Sequence, residues 1–472
     1  MSSGQSTAKH GRRTADVQIM LNPHKTKTVY FCQSCGHKSL RWIGKCPDCG
    51  AWNSMVEEKV TPHRARRPTE KACSTALKEV DWADEDRIRT GMREFDRVMG
   101  GGVVKGSVIL VGGDPGIGKS TLLLQISEKI ASQFDRVLYI TGEESLKQIK
   151  LRAERLRINP NRINVLTETN LDSILDVLRQ DVPYMTVIDS IQTTYTPSLE
   201  STPGSIGQIR ECASSLIGFA KQSQSPVFLV GHVTKDGSIA GPKVLEHMVD
   251  TVLCFEGEKS CLFRILRAVK NRFGSANEIG VFQMEERGLL EVDNPSVLFL
   301  PDRAQEVSGS LVVCCMEGTR PLLLELQALA SPSSYGTPQR VSSGVDYKRL
   351  ALLLAILEKR EGLSFASFDV FVNLAGGVRI EEPAMDLGMV VALASSLKEV
   401  PADRKSVVIG EVGLGGEVRA VSQIERRIKE AEKLGFKRCV VPHGNLKGLN
   451  RKFEAEIRGV GSIREALEVM LT

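Results

Sequence analysis

Three unlike stretches, in order along 472 residues, predict a multidomain α/β chain. Four cysteines crowd into eighteen residues near the N-terminus. A glycine-rich phosphate loop then opens a region of alternating strand and helix patterns, and a final region mixes strands with two long apolar helices. With 42% hydrophobic and 25% charged residues, the chain is neither collagen-like nor globally disordered. Its net charge of +5 gives little reason by itself to expect nucleic-acid binding. The longest unbroken apolar run, Leu350–Leu357, is far shorter than the roughly 18–20 residues of a membrane span, so a cytoplasmic protein without membrane contact is expected.

Residues 1–27 are basic and polar, lack the apolar stretch of a secretory signal, and read as a disordered extension. Met20 offers an alternative start. Residues 28–55 hold Cys32 and Cys35, then Cys46 and Cys49, two C-x2-C pairs whose thiolates suit a Zn²⁺ tetrahedron. Gly36 and Gly50, one after each pair, allow the tight turn of a zinc knuckle. So small a module cannot fold on its own apolar surface, and the metal, worth about 10–16 kcal/mol, must hold it together. Four thiolates leave no open position, so the zinc is structural. The net negative charge that four thiolates leave around Zn²⁺ is partly offset by Lys38, Arg41 and Lys45, and the module can also present a contact surface. The other cysteines, Cys73, Cys212, Cys254, Cys261, Cys314, Cys315 and Cys439, read as small buried hydrophobes of a reducing compartment. Residues 56–85 read as a linker.

From 86 to 292, apolar runs (SVILVGG, RVLYIT, INVLT, YMTVIDS, PVFLVGH) alternate with helical spacings such as Leu171, Ile174, Leu175 and Leu178. Continuous β-branched runs are what strands covered on both faces require, and the alternation implies a mostly parallel sheet. Gly113, Asp114, Pro115, Gly116, Ile117, Gly118, Lys119 and Ser120 form the phosphate loop between strand and helix, with Thr121 following. Its amides and the helix dipole suit the phosphates of ATP. Lys119 reaches the outer phosphates, and Ser120 meets Mg²⁺. Asp189 ends a later strand, where it can hold Mg²⁺ through water. Glu143 is the favoured acceptor of a proton from attacking water. Glu144 in that role, or both carboxylates as helix starters, stays open. His232 is either a γ-phosphate sensor or a strand-end histidine bonded to its loop.

YFCQSCG, RWIGKCPDCGAWNS, GGDPGIGKST, YITGEES, VIDSIQT, GHVTKDGSIAGPKVLEHMVDTV and VKNRFGS, in that order, resemble the bacterial RadA/Sms family of RecA/DnaB-like ATPases. The likeness runs over nearly the whole chain from about Tyr30. It implies a RecA-like core and a DNA-dependent ATPase in DNA repair, similar to a hexameric ring motor on single-stranded and branched DNA, promoting branch migration with a RecA-type recombinase. It supports Glu143 as catalytic carboxylate and makes 270–274 the family's KNRFG motif. Lys270 and Arg272 alternate along that segment and in a ring could reach a neighbour's γ-phosphate as an arginine finger does. Gln192–Gly207, with Tyr195, and Thr234–Pro242 resemble DNA-facing loops, with Lys235 and Lys243 as phosphate contacts.

Residues 293–303 read as a second linker, and 304–472 as an α+β unit resembling the proteolytic domain of Lon. Asp386 stands where a serine nucleophile belongs and Glu425 where its lysine belongs, so the unit is expected to be proteolytically inactive. Arg340, Lys348 and Arg349, or Arg419, Arg426 and Arg427, could instead contact phosphates. An ATP-switched scaffold shares every phosphate-loop residue with the motor and remains the rival reading.

Overall fold

The computed structural model describes residues 27–33, 36–60, 76, 87–134, 136–231, 243–257, 263–300, 307–333, 336–376, 380–449 and 452–471. The basic extension before residue 27, Cys35, most of the 56–85 linker, Cys73, His232, the Thr234–Pro242 segment with Lys235, Cys261 and the side chain of Lys243 lie outside them.

Strands β1 (Lys27–Cys32), β2 (Lys38–Ser39) and β3 (Met55–Val60) form an antiparallel sheet in the order β2-β1-β3. Lys27 pairs with Val60 and Cys32 with Met55, so β3 carries the cysteine module five residues past its expected end at 55. The reason is register: MVEEKV matches KTVYFC residue for residue, which the charge of the stretch conceals.

The nucleotide-loop region follows as β4 (Arg87–Ile88), α1 (Arg93–Val98), β5 (Val103–Val104), β6 (Val108–Gly113), α2 (Lys119–Phe134), β7 (Val137–Thr141), α3 (Leu146–Arg155), β8 (Ile163–Thr167), α4 (Leu171–Gln180), β9 (Met185–Asp189), α5 (Ile206–Ser223), β10 (Val227–Val230), α6 (Lys243–Met248), β11 (Thr251–Glu256), β12 (Phe263–Asn271), β13 (Ile279–Glu285) and β14 (Gly288–Glu291). Its nine-stranded sheet runs β14-β13-β12-β11-β6-β10-β9-β7-β8. The six strands from β11 to β8 are parallel, and β12–β14 add an antiparallel meander at one edge. β6, β7, β9 and β10 are buried throughout, as their continuous apolar runs require. INVLT departs from that expectation: as the edge strand β8 it is only half-buried. Side-chain caps set the helix starts, with Ser145 and Gln148 forming a capping box on α3 and Ser205 capping α5.

The last region comprises α7 (Pro295–Phe299), β15 (Ser310–Glu317), β16 (Arg320–Pro332), β17 (Arg340–Ser343), α8 (Tyr347–Glu361), β18 (Phe368–Leu374), α9 (Asp386–Lys398), β19 (Ser406–Val408), β20 (Glu411–Val412), β21 (Val418–Arg419), α10 (Ile424–Lys433), β22 (Arg438–Pro442), α11 (His443–Leu446), β23 (Glu456–Val460) and α12 (Ile463–Met470). Seven strands form a mixed sheet, β17-β18-β16-β15-β19-β22-β23, and α9 lies buried from Asp386 to Ser396.

The stretch expected to link the two regions instead holds α7, capped by Asn294 and opened by Pro295, with Phe299 inside the C-terminal core. Ile265, Ile279 and Val281 of the meander belong to the same core. Polar contacts line the seam. Glu94 accepts from Arg97 at 2.6 Å and Arg320 at 2.8 Å, Thr319 N–H donates to Glu278 at 2.7 Å, and Arg267 pairs with Glu256 and Glu317. One hydrogen bond ties the cysteine module to α5, from Arg210 to the Gly36 carbonyl at 2.6 Å.

Candidate nucleotide and metal sites

β6 delivers the chain into the loop 113–118 with backbone only glycine accepts. Gly113 and Gly118 have φ of 150° and 121°. A Cβ on Gly113 would meet the Phe255 carbonyl at 2.7 Å, and one on Gly118 the Met284 methyl at 2.8 Å. At Gly116 no described atom lies within 4 Å of such a Cβ, so the rim of the loop is open for a phosphate to approach its amides. Asp114 and Pro115 are exposed beside it, Ile117 is buried beneath, and Thr121 is half-buried in the first turn of α2. That turn carries no acidic residue, which leaves the positive end of the helix dipole uncompensated.

Lys119 is buried and donates to the carbonyls of Gly113 at 2.7 Å and Asp114 at 2.9 Å. Burial lowers its pKa, opposed by the carboxylates of Asp189, Glu143 and Asp114. The strand ends thus gather the charges that the sequence assigns to nucleotide and Mg²⁺ around one ammonium. Asp189, buried at the end of β9, accepts from the Tyr139 hydroxyl at 2.5 Å, and Ser120 bonds the same phenol. Burial, and then the Asp189 charge, push Tyr139 well above its ordinary pKa, so it stays a donor. Tyr139 was hidden in the sequence because a tyrosine within VLYIT reads as core.

The two glutamates part company after β7. Thr141 Oγ1 accepts both of their amides, at 3.3 Å from Glu143 and 3.1 Å from Glu144. Glu143 accepts from the Ser190 hydroxyl beside Asp189, whereas Glu144 forms an ion pair with Arg152 of α3. Gly142 makes the turn: a Cβ there would lie 2.4 Å from Thr193 Oγ1.

Lys270 and Arg272 come together at the other end of the sheet. Lys270 donates to the carbonyls of Glu246 at 2.6 Å and Val249 at 2.8 Å, and Arg272 to Asp250 at 3.0 Å. Asn271 pairs with Thr251, which pairs with Ile109, four residues before Gly113. At about 3.3 Å per residue the Asn271 backbone lies roughly 13 Å down the sheet from Gly113. Segment 192–205 is pinned. Buried Gln208 accepts from the Thr196 amide at 2.8 Å and donates to the carbonyls of Thr196, Leu199 and Ser201, while Tyr195 bridges to Asn170. No motif pointed to Gln208.

In the cysteine module, Cys32, Cys46 and Cys49 sulfurs lie within 4.8 Å of one another, Cys32 and Cys49 at 3.6 Å. Tetrahedral Zn–S bonds of about 2.3 Å put sulfurs about 3.8 Å apart, so the donor set fits zinc. The Gly36 and Gly50 amides close the knuckle turns onto the carbonyls of Cys32 and Cys46, at 2.8 and 2.9 Å, both glycines at positive φ. Cys212, Cys314, Cys315 and Cys439 are buried as expected, and burial raises the Cys212 and Cys439 thiols to about 12. Cys254 departs: it is only half-buried, on β11 beside the phosphate loop.

Two arginines offered as phosphate contacts are not available for it. Arg349 grips Asp386 with two nitrogens, Nε at 2.8 Å, and Arg427, fully buried, pairs with Glu382 and donates to the Cys314 carbonyl at 2.8 Å. Their acidic partners lie 37 and 45 residues away in sequence, so no local pattern announces the pairs. Arg340 donates to the Phe365 and Phe368 carbonyls and Arg419 pairs with Glu417, while Lys348 and Arg426 are exposed. Glu425 sits in the first turn of α10.

Among the described residues no helix is long and apolar enough to cross a membrane. Residues 30–57 match the rubredoxin metal binding domain family, 73–238 an AAA domain family, and 349–445 the family of subunit ChlI of Mg-chelatase. The chain is 52% identical over 454 residues to the DNA repair protein RadA of Bacillus subtilis, covering 95% of this chain and 99% of the relative. It is 53% identical to that of Halalkalibacterium halodurans over the same shares of the two chains. Against that of Listeria monocytogenes it is 49% identical over 451 residues. Matched almost end to end at about half identity, with zinc-type thiolates and a nucleotide loop in the same chain, the protein belongs to the RadA family of DNA repair proteins.

Proposed function

We propose that this protein is a DNA-dependent ATPase whose hexameric ring moves on single-stranded DNA and extends branched recombination intermediates beside a RecA-type recombinase. The convergence of Asp189, Glu143 and Asp114 on the Lys119 ammonium, at the open rim of the loop, supports the ATPase part of this reading, and membership of a DNA repair family supports the DNA part. Incoming phosphates take the place of the Gly113 and Asp114 carbonyls as partners of Lys119. Bound Mg²⁺, held by Ser120 and through water by Asp189, would neutralise phosphate charge. Tyr139 holds those two side chains in register. Glu143 accepts the proton of the attacking water, its carboxylate oriented by Ser190. Lys270 and Arg272, at the other end of the sheet from their own loop, serve the γ-phosphate of the neighbouring subunit.

The division of labour is a zinc module, a RecA-like core from about 86 to 292, and a Lon-like unit kept for assembly or DNA contact, all in the cytoplasm. Its buried Asp386–Arg349 pair offers no serine–lysine chemistry. ATP turnover with and without single-stranded DNA, at low and moderate salt, tests the reading beside a Lys119→Ala control. Salt-sensitive stimulation that vanishes in the control is expected; turnover indifferent to DNA would replace the motor with an ATP-switched scaffold.

A further inference from the structure

We infer that the zinc module carries a stacking site for single-stranded DNA, built from the indoles of Trp42 and Trp52 among the cations Lys38, Arg41 and Lys45. This rests on the DNA-dependent reading above and names a surface which that reading leaves unassigned. Tryptophan is highly buried on average, yet Trp42 is 56% and Trp52 72% exposed, with the module already tied to α5 through Arg210. The two rings flank one short ribbon. A Cβ on Gly44 would lie 3.6 Å from the Trp42 ring, and the Gly44 carbonyl accepts the Asn53 amide at 2.8 Å. Lys45 pairs with Trp52 across an antiparallel bridge. Cys46 and Cys49 fall between the indoles in sequence, so the metal knuckle fixes their spacing.

Charge selects the occupant. The Lys45 ammonium stands 5.4 Å from the Trp52 ring centre, Arg41 is exposed one residue before Trp42, and Lys38 is exposed on β2 over the Phe31 ring. The neighbouring carboxylate of Asp48 is bonded to His37 at 2.8 Å. Exposed π-faces interleaved with cations match the unstacked bases and phosphates of a single strand. A duplex keeps its base faces inside, and protein interfaces are depleted in lysine.

Two of the chain's three tryptophans lie in this patch, so indole fluorescence of the full-length, zinc-loaded protein reports it directly. Titration with oligo-dT should quench that fluorescence. Trp42→Ala and Trp52→Ala should each weaken binding roughly 5- to 100-fold, and the Phe variants should recover most of the loss. Lys45→Gln should flatten the salt dependence of log affinity by about 0.7. Zinc content per chain checks that each variant is folded. If an alanine variant loses zinc, the Phe and Lys45→Gln variants decide the matter. Unchanged oligo-dT affinity in zinc-loaded alanine variants, with DNA still stimulating turnover, would overturn the inference and leave the ATPase reading standing. Loss of recombinase association in those same variants would make the patch a protein-docking surface. DNA that neither binds nor stimulates would remove both readings together.

Discussion

The nucleotide site and the cleft of the C-terminal unit lined by Arg349, Glu382 and Asp386 both set charged groups at strand ends and helix starts, but they partner those charges in different ways. Lys119 leans on two carbonyls of its own loop, Asp189 on a phenol and Glu143 on a serine hydroxyl. These carbonyls and hydroxyls are neutral partners that a phosphate, a metal ion or a water can replace, beside the carboxylates that already face Lys119. In the cleft, Asp386 meets Arg349 and Glu382 meets Arg427, so charge cancels charge. Removing either partner leaves a partly buried ion without its counter-charge. A buried charge bonded to a neutral group is poised for a ligand, whereas one bonded to its opposite is structural.

The most severe test exchanges the two behaviours. Lys119→Ala should reduce ATP turnover by about 10³-fold or more, because the phosphates lose the ammonium that faces them. Arg427→Ala should lower stability by about 3–5 kcal/mol, since the Cys314 carbonyl loses its guanidinium donor and Glu382 keeps only the Met316 amide. Urea unfolding and steady-state turnover of both variants check this, and an Arg427→Ala protein of wild-type stability would break the contrast.

Next come the glutamates. Glu143→Gln should slow hydrolysis about 10²- to 10⁴-fold while nucleotide is still bound. Glu144→Gln should change it only a few-fold, because its partner is Arg152 rather than the reacting centre. Equal losses in the two would erase the distinction that Ser190 and Arg152 draw between them.

Tyr139→Phe should have a smaller effect, about 10-fold on turnover, with a raised Mg²⁺ requirement, as Asp189 and Ser120 lose their shared phenol. The sign with pH follows from the raised pKa: the phenol is protonated throughout the neutral range, so wild type and variant should share the shape of their pH–rate curves. A variant whose curve gained or lost a limb near neutrality would show that the phenol titrates.

The same contrast explains what could be read from residue order. The phosphate loop, the knuckles and the buried strands are local patterns, because their chemistry is carried by neighbours in the chain. Tyr139, Gln208, Arg349 and Arg427 act through partners brought in by the fold, and each mimics something ordinary: a core aromatic, a polar helix residue, a surface cation. Strand β3 hid in a charged stretch because pairing, not burial, defines it. Helix α7 hid behind Asn294–Pro295, which reads as a breaker yet caps and opens a helix.

The smallest expected effect is the most pointed. If the cleft were closed only by the identity of two side chains, Asp386→Ser with Glu425→Lys would restore peptide hydrolysis. The geometry argues otherwise. Arg349 donates to Asp386 and also to the Val412 carbonyl at 3.1 Å, and the Val412 amide holds the same carboxylate at 3.2 Å. A serine at 386 would keep that guanidinium beside it without the carboxylate that grips it, leaving only the more distant charge of Glu411, and a new lysine would add a second cation to the unit. Cleavage of a fluorescent casein should stay at background, with a lowered unfolding midpoint as the visible change. Hydrolysis above background would mean that the cleft still admits a chain, and that its ion pairs are as replaceable as the partners of Lys119.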